Sequence, residues 1–199
     1  PCLPMAVLGL VILAVMVKVE KGVEEKNGFA LLPQSFLKTP QVLAGLAASA
    51  ITFFFMGVQS ILMAPYLQLV AGWSPAIVGV LSIVVGIPTF AFSIGIPKWM
   101  PNANPRRVIE VGYIVLAAAL AAMAFSVTLD SASLPGIVVG CILAGSGAGI
   151  VSAQANNVVA LAVNERDAAQ SGGIQTTMRN VGQAIGIALL GAVLLFGIT

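Results

Sequence analysis

The chain has 199 residues, of which 59% are hydrophobic and only 8% are charged, and its formal net charge is +2. A soluble domain carries roughly 25% charged residues, because its surface must be wetted. So few charges cannot cover a water-facing surface, which predicts that lipid is the solvent. The apolar runs are long and unbroken, which predicts membrane-spanning helices and not a barrel.

The composition also excludes several classes of function. The basic residues are few and scattered, so nucleic acid is not an expected partner. The sequence contains no histidine, and it shows no nucleophile–base pair or metal-ligand cluster. We therefore expect no enzyme, no cofactor and no bound metal. Cys141 lies inside an apolar run, so it and Cys2 are interpreted as small hydrophobes and not as a disulfide framework.

The first element is an apolar run over residues 3–17. It spans ~22 Å at ~1.5 Å per residue, short of a ~30 Å hydrocarbon core. The chain opens without an initiator methionine or a basic segment, so we interpret this run as the end of a transmembrane helix that begins before Pro1. Residues 18–40, the most polar stretch, are expected to form a solvent-facing linker.

Five further apolar segments follow, and the sequence therefore predicts an all-α integral membrane protein with about six transmembrane helices. These segments cover about residues 41–69, 75–97, 108–128, 134–163 and 168–199. A tight turn joins the first two, with Ser74 placed to cap the next helix and Pro75 at its first position.

Basic residues mark every second connection between these segments. The linker holds four lysines, the loop over 98–107 holds Lys98, Arg106 and Arg107, and the loop over 164–167 holds Arg166. The other two connections hold no lysine or arginine. The positive-inside rule therefore predicts that loops 18–40, 98–107 and 164–167 are cytoplasmic, in a multi-pass protein of the cell (inner, cytoplasmic) membrane.

The segment over 134–163 carries small residues at four-residue steps, with Gly145 and Gly149 beside them; the series is Gly136, Gly140, Ala144, Ala148 and Ser152. Small residues let a neighbouring helix backbone approach closely. The stripe is either a static packing seam or a surface on which helices slide during a transport cycle.

Amide side chains cluster at the end of the same segment, at Gln154, Asn156 and Asn157. An amide in hydrocarbon is costly unless it is paired, so these side chains should face the bundle interior or water. They either hydrogen-bond to other helices or line a solute path.

The segment over 41–69 carries Phe55, Met56, Gln59, Met63 and Tyr66 at spacings of three and four. Methionine and aromatic side chains around one amide suit a site that accepts varied apolar or cationic compounds. Ordinary membrane helices also contain such residues, so packing remains the alternative.

The last segment carries Gln175, Arg179 and Gln183 on one face, with Gly182 and Gly186 in GxxxG spacing. Arg179 lies about eleven residues past the predicted helix start, so it is either buried or reaches back to the interface. A buried arginine needs an acidic or carbonyl partner. Acidic residues do not lie clearly inside any span, so carboxylates that couple transport to protons are expected outside this chain.

Three stretches together resemble fourteen-span drug:proton antiporters, a branch of the major facilitator superfamily. The run Tyr66-Leu-Gln-Leu-Val-Ala-Gly-Trp-Ser-Pro-Ala-Ile-Val-Gly79 is similar to the junction of their spans nine and ten. Gly145-Ser-Gly-Ala-Gly followed by Gln154-Ala-Asn-Asn157 is similar to span twelve. Ser171-Gly-Gly-Ile-Gln-Thr-Thr-Met-Arg-Asn-Val-Gly-Gln-Ala-Ile-Gly-Ile-Ala-Leu-Leu-Gly191 is similar to span thirteen.

The resemblance implies a C-terminal half. Residues 1–17 would end a central extra helix, residues 18–40 would be the cytoplasmic linker, and residues 41–199 would be the first five helices of the C-terminal six-helix bundle, without its last helix. The implied partners are a small-molecule substrate, protons, the lipid bilayer and the absent N-terminal bundle. The same similarity favours Gln59, Gln154 and Asn157 as path residues. The loop that usually pairs basic residues with an acid here has only basic ones.

We therefore predict a membrane secondary transporter that exports small amphipathic or cationic compounds, coupled to protons, by alternating access. The alternatives are a transporter of the same fold for one defined metabolite, and a non-transporting membrane subunit or receptor.

Overall fold

The computed structural model describes residues 39–128, 133–162 and 168–197, together with the isolated positions Val11 and Val15. These residues form five α-helices and no strand. The helices are α1 (Pro40–Pro65), α2 (Pro75–Trp99), α3 (Pro105–Thr128), α4 (Leu134–Leu161) and α5 (Ala168–Gly197), and a π-helical turn (Tyr66–Val70) extends α1. The predicted central helix and linker over residues 1–38 and the loop over 164–167 lie outside the described ranges, apart from the two isolated positions.

The prediction of an all-α membrane protein is confirmed. Four of the described helices are long and apolar enough to cross a bilayer, over Pro40–Val70, Pro75–Trp99, Pro105–Val127 and Leu134–Leu161. The fifth helix, α5, has 30 residues and would measure ~45 Å at ~1.5 Å per residue. It packs lengthwise along α1, so it follows the same axis through the bundle.

The turn between α1 and α2 depends on a glycine and a proline. Gly72 has a φ of +70°, a left-handed conformation that other residues rarely adopt. Pro75 occupies the first turn of α2, as predicted. Ser74 precedes it, but its side chain makes no capping hydrogen bond, so that part of the prediction is wrong. The backbone carbonyl of Ser74 accepts the amide hydrogen of Ile77 instead (3.0 Å).

The basic loop is shorter than the predicted range of 98–107. Lys98 lies in the last turn of α2, which runs past Pro97 because a proline disturbs the helical turn before it and not the one after it. Arg106 and Arg107 lie in the first turn of α3. That helix begins early because the side-chain oxygen of Asn104 accepts a hydrogen bond from the backbone nitrogen of Arg106 (3.1 Å).

The central helix of the described bundle is α4. In its most apolar stretch 56% of the residues are buried, against 6% for α2. The hydroxyls of Thr89 and Ser93 donate to the carbonyl oxygens of Gly145 (3.1 Å) and Gly149 (3.4 Å). Both pairs advance together along the chain, so α2 and α4 run in the same direction.

The third helix runs antiparallel to α4. Gly147 of α4 packs on Leu116 of α3, whereas Gly140, two turns earlier in α4, packs on Met123, two turns later in α3. Residues nearer the start of α4 therefore contact residues nearer the end of α3.

The first and fifth helices run in the same direction. Gly182 packs on the backbone of Ala50, and Gly186 packs on that of Phe54. Gly45, near the start of α1, contacts Val159 near the end of α4, so α1 and α4 are antiparallel. The described helices therefore alternate in direction, in agreement with the predicted alternation of the connections.

We call the two ends of the bundle the Pro40 end and the Val70 end, after the limits of the first membrane span. The start of α1, the connection from α2 to α3, the end of α4 and the start of α5 lie at the Pro40 end. The basic residues of the loop between α2 and α3 therefore lie beside the start of α1, as the charge pattern predicts.

Replacing Gly182 by alanine should destabilise the bundle. A Cβ atom there would collide with the carbonyl oxygen of Ala50, so α1 and α5 would have to separate. Overpacking costs about 1–3 kcal/mol. We expect Gly182→Ala to lower the melting temperature measured in detergent micelles.

The matched control is Gly173→Ala in the same helix. A Cβ atom at Gly173 meets no atom within 4 Å, and alanine favours a helix over glycine by roughly 1 kcal/mol. This variant should melt at or above the wild-type temperature. Equal melting temperatures for the two variants would contradict the close contact between α1 and α5.

Candidate solute path

A cavity of about 270 Å³ opens between α1, α2 and α4, in the half of the bundle nearer the Val70 end. Its polar side chains are Gln59, Ser60 and Ser82, and the rest of its wall is apolar. The lining residues are Met56, Gln59, Ser60, Met63, Ala64, Leu67, Val78, Leu81, Ser82, Val85 and Cys141.

The helix geometry explains why these residues meet. The six lining residues of α1 are spaced three and four apart, which places them on one face of the helix. Pro65 has no amide hydrogen to donate, and the chain after it widens into the π-helical turn, which buries Leu67 at the end of the cavity. The facing wall comes from the first three turns of α2.

The structure brings together three of the five residues singled out in α1. Met56, Gln59 and Met63 line the cavity. Phe55 instead packs edge-to-face on Phe54, with ring centroids 5.6 Å apart. Tyr66 begins the π-helical turn and packs, partly buried, against the apolar core.

A second polar site surrounds Arg179 of α5. Its guanidinium donates a hydrogen bond to the side-chain oxygen of Asn156 of α4. The guanidinium carbon also lies 5.3 Å from the ring centroid of Phe53 of α1, a cation–π contact. Nε of Arg179 is buried and has no hydrogen-bond partner among the described residues. Arg179 therefore connects α5 to both neighbouring helices, through an amide oxygen and an aromatic ring.

The guanidinium lies between the middle of the bundle and its Pro40 end. Its partner Phe53 is within two residues of the midpoint of the span Pro40–Val70, whereas its partner Asn156 lies five residues before the end of α4. A charge at the centre of a membrane helix costs roughly 2.5–3.5 kcal/mol on insertion scales. The contacts with Asn156 and Phe53 offset part of this cost.

The cavity and Arg179 lie on the same side of the bundle. At ~100° per residue, Cys141 of the cavity wall lies ~60° from Asn156 around α4. Gly147, which packs on α3, lies ~180° from Asn156. On α1, Phe53 and Ser60 share one face and are two turns apart, ~10 Å. A continuous face of α1 therefore joins the two sites, with α3 on the opposite side of α4.

The three amides of α4 take different positions. Gln154 is only 2% exposed and lies ~20° from Gly147 around the helix, on the side that packs on α3. Its side-chain oxygen has no hydrogen-bond partner in the described part of the chain. Asn156 is exposed and bonded to Arg179, and Asn157 is partly exposed. The structure does not bring Gln154 to Gln59, and the path role of these amides stays a prediction.

The remaining polar residues of α5 also reach neighbouring helices. The side-chain nitrogen of Gln175 donates to the carbonyl oxygen of Ala155 (3.5 Å). The backbone of Gln183 packs against Gly57, at which a Cβ atom would lie 2.6 Å from the carbonyl oxygen of Gln183. These contacts lie along the same interface as Arg179.

The glycine stripe of α4 divides between two neighbours. Gly136 and Gly140 contact α3, whereas Gly145 and Gly149 contact α2. Each lets another helix approach at backbone distance, and sliding along these contacts stays a prediction.

A larger groove of about 740 Å³ opens at the Pro40 end between α1, α3 and α4, on the side away from Arg179. Arg106 lines it and pairs with Glu110, four residues later in α3, at 3.0 Å between Nε and the carboxylate oxygen. Both side chains are more than half exposed, so the pair contributes little to stability. The acidic partner of Arg106 therefore lies in α3 and not in the basic loop.

Several residues of the site were not predicted from the sequence. Ser82 and Val85 belong to α2, whose inward face could have been found from Ser82, Thr89 and Ser93, because spacings of seven and four place these hydroxyls on one side of the helix. Cys141 was interpreted as a buried hydrophobe, and it is buried while also lining the cavity. Phe53 could have been found from its seven-residue spacing to Ser60, which places both on one helix face.

Residues 2–187 of the chain match the sequence profile of the Major Facilitator Superfamily. The chain belongs to this superfamily. It is 26% identical over 192 residues to the "Probable actinorhodin transporter" of Streptomyces coelicolor, which covers 96% of this chain and 33% of that relative. It is 25% identical over 171 residues to the "Multidrug resistance protein Stp" of Mycobacterium tuberculosis, which covers 86% and 31%. The chain spans about a third of the length of the curated relatives it matches.

Superfamily membership supports a multi-pass membrane transporter. Within such a protein, polar residues at mid-membrane depth are expected to face the bundle interior or a water-filled path. Both sites described above, the cavity and the Arg179 contacts, have this character.

Cysteines placed at Gln59 and Gln154 should differ in reactivity. In the native protein with its own cysteines replaced by alanine, we expect Gln59→Cys to react with a membrane-impermeant thiol reagent at least tenfold faster than Gln154→Cys. Gln59 lines the cavity, whereas Gln154 is enclosed at the interface with α3. Mass spectrometry of the labelled protein measures both rates. A faster reaction at position 154 would contradict the assignment of the two faces of α4.

Proposed function

We propose that the chain forms part of a proton-coupled exporter of small amphipathic or cationic compounds, which works by alternating access in the cell membrane. The observation that carries the proposal is the cavity beside Gln59. It combines flexible methionine side chains with one amide and two hydroxyls, a lining that adapts to varied apolar solutes. The names of the relatives, an actinorhodin transporter and a multidrug resistance protein, support this class of substrate.

In this proposal the chain supplies part of a fourteen-span antiporter. Helices α1 to α5 are the first five of the C-terminal bundle, residues 1–17 end a central extra helix, and residues 18–40 form the cytoplasmic linker. The rest of the protein supplies the N-terminal bundle and the last helix. The Pro40 end, with its basic residues, faces the cytoplasm, so the cavity opens in the outer half of the membrane.

The described helices would move as one body during transport. In lipid, helices associate through close packing and hydrogen bonds, and α4 is held by glycine contacts on two sides. Alternating access then comes from rocking of this body against the other bundle.

Proton carriers would lie elsewhere in the protein. The single acidic residue among the described residues is Glu110, and it is paired with Arg106 at the Pro40 end. A carboxylate that titrates during the transport cycle must exchange protons near the path. We therefore assign proton coupling to carboxylates outside the described helices.

Replacing Gln59 by leucine should weaken transport of compounds that accept or donate hydrogen bonds. A lost hydrogen bond in an apolar site is worth about 1 kcal/mol, so we expect KM for such compounds to rise about fivefold. Gln68→Leu is the matched control, because Gln68 is exposed in the π-helical turn and does not line the cavity. Uptake into inverted proteoliposomes under an imposed pH gradient measures both variants.

The same assay separates the competing functions. Competition among structurally unrelated compounds supports the exporter, whereas transport of one compound without such competition would favour the defined-metabolite transporter. If the wild-type protein shows no gradient-dependent flux, a non-transporting subunit is favoured. An equal effect of Gln59→Leu and Gln68→Leu would contradict the cavity as the binding site.

A further inference from the structure

The charges of the described helices are distributed unevenly in depth. Lys98, Arg106, Arg107 and Glu110 lie at the Pro40 end, in the last turn of α2 or the first two turns of α3. Among the charged residues in the described ranges, Arg179 alone lies three turns inside its helix. The path side of this bundle therefore carries one positive charge, and none of its described neighbours neutralises it.

We propose that Arg179 binds the anionic group of the exported solute, so that this half of the path selects amphipathic acids over cations. This proposal rests on the proposed export function and narrows its substrate class from amphipathic or cationic compounds to amphipathic acids.

The contacts of the guanidinium leave donors for a ligand. An arginine side chain has five N–H donors, of which Asn156 accepts one. Nε is buried and has no hydrogen-bond partner in the described part of the chain, so at least one buried donor of the guanidinium is unsatisfied there. A planar guanidinium held against an aromatic ring is a preformed site for a carboxylate or another anion with two acceptor oxygens.

Among the described residues, the groups that contact Arg179 are uncharged. Phe53 faces it from α1 and Asn156 from α4. One turn before and one turn after it on α5 lie Gln175 and Gln183. A cationic group brought to this place would meet the guanidinium without a screening acid, whereas an anionic group would supply the missing counter-charge.

The distance between the two sites restricts the shape of the solute. Phe53, which contacts Arg179, lies ~10 Å along α1 from Ser60 in the cavity wall. The preferred solute therefore has an apolar or aromatic body that fits the cavity of about 270 Å³, and an acidic group on an arm that reaches the guanidinium.

A pair of probes with the same body and opposite charges tests the proposal. Pyrenebutanoate and pyrenebutylammonium are titrated into the native protein in nanodiscs, with empty nanodiscs as the blank, and pyrene fluorescence reports binding. We expect the wild type to bind the acid more tightly. Arg179→Gln should weaken binding of the acid about tenfold or more, as expected for a hydrogen bond to a charged group, and leave binding of the amine unchanged or tighter.

Three further variants distinguish binding from packing. Arg179→Lys keeps the charge and should retain most of the preference for the acid. Asn156→Asp supplies an internal counter-charge while keeping the contact between α4 and α5, so it should abolish that preference. Arg107→Gln removes a positive charge from α3, away from the path, and should change neither affinity.

The proposal is overturned if Arg179→Gln weakens both probes equally, or if Asn156→Asp keeps the wild-type preference for the acid. It is also overturned if Arg179→Gln leaves the affinity for the acid unchanged, as expected when an acid from another part of the protein neutralises the guanidinium. Gradient-driven flux in proteoliposomes is measured separately. If the wild type shows flux but Arg179→Gln keeps the wild-type preference for the acid, this inference alone is overturned. If the wild type shows no gradient-driven flux, the export function is contradicted.

Discussion

The close approach of helix backbones at glycine residues is the constraint on which the described bundle depends. Lipid offers no hydrophobic drive for helices to associate, so packing distance and interhelical hydrogen bonds must hold them together. Gly145 and Gly149 bring α4 to backbone distance from α2, and Gly182 and Gly186 do the same for α5 on α1. Hydrogen bonds form at these contacts, since Thr89 reaches the carbonyl oxygen of Gly145 only because no side chain separates the two helices (3.1 Å).

This packing gives the bundle two unlike sides. On one side α3 covers the small and buried face of α4, which includes Gly147 and Gln154. On the other side α1, α2 and α5 leave room for the cavity beside Gln59 and for Arg179. The mid-membrane polar groups that face outward from the described bundle lie on this second side. In the proposed transport cycle, a substrate path on this side needs no rearrangement of the glycine contacts.

Much of the fold follows from the sequence, because long apolar runs, proline and basic connections fix the helices and their alternating directions. Helix faces were predictable where the residues vary in polarity, as for Met56, Gln59 and Met63. For α2 the signal is weaker, since only the hydroxyls of Ser82, Thr89 and Ser93 distinguish one face of an otherwise apolar helix. Gln154 and Asn156 form one amide cluster in the sequence. Because they are two residues apart, they lie ~160° apart around the helix and face opposite sides. The pairing of Arg179 with Asn156 joins separate helices, so neither local spacing nor composition could indicate it.

We propose that solutes move along the face of α1 that joins the cavity to Arg179. Photoaffinity labelling can test this path, with an amphipathic diazirine probe, the native protein in nanodiscs, and peptide mapping with and without excess unlabelled solute. We expect the labels displaced by competitor to lie around Gln59, Ser60 and Ser82. Displaced labels confined to the groove between α1, α3 and α4, at Ala44, Ile109 and Leu161, would contradict it.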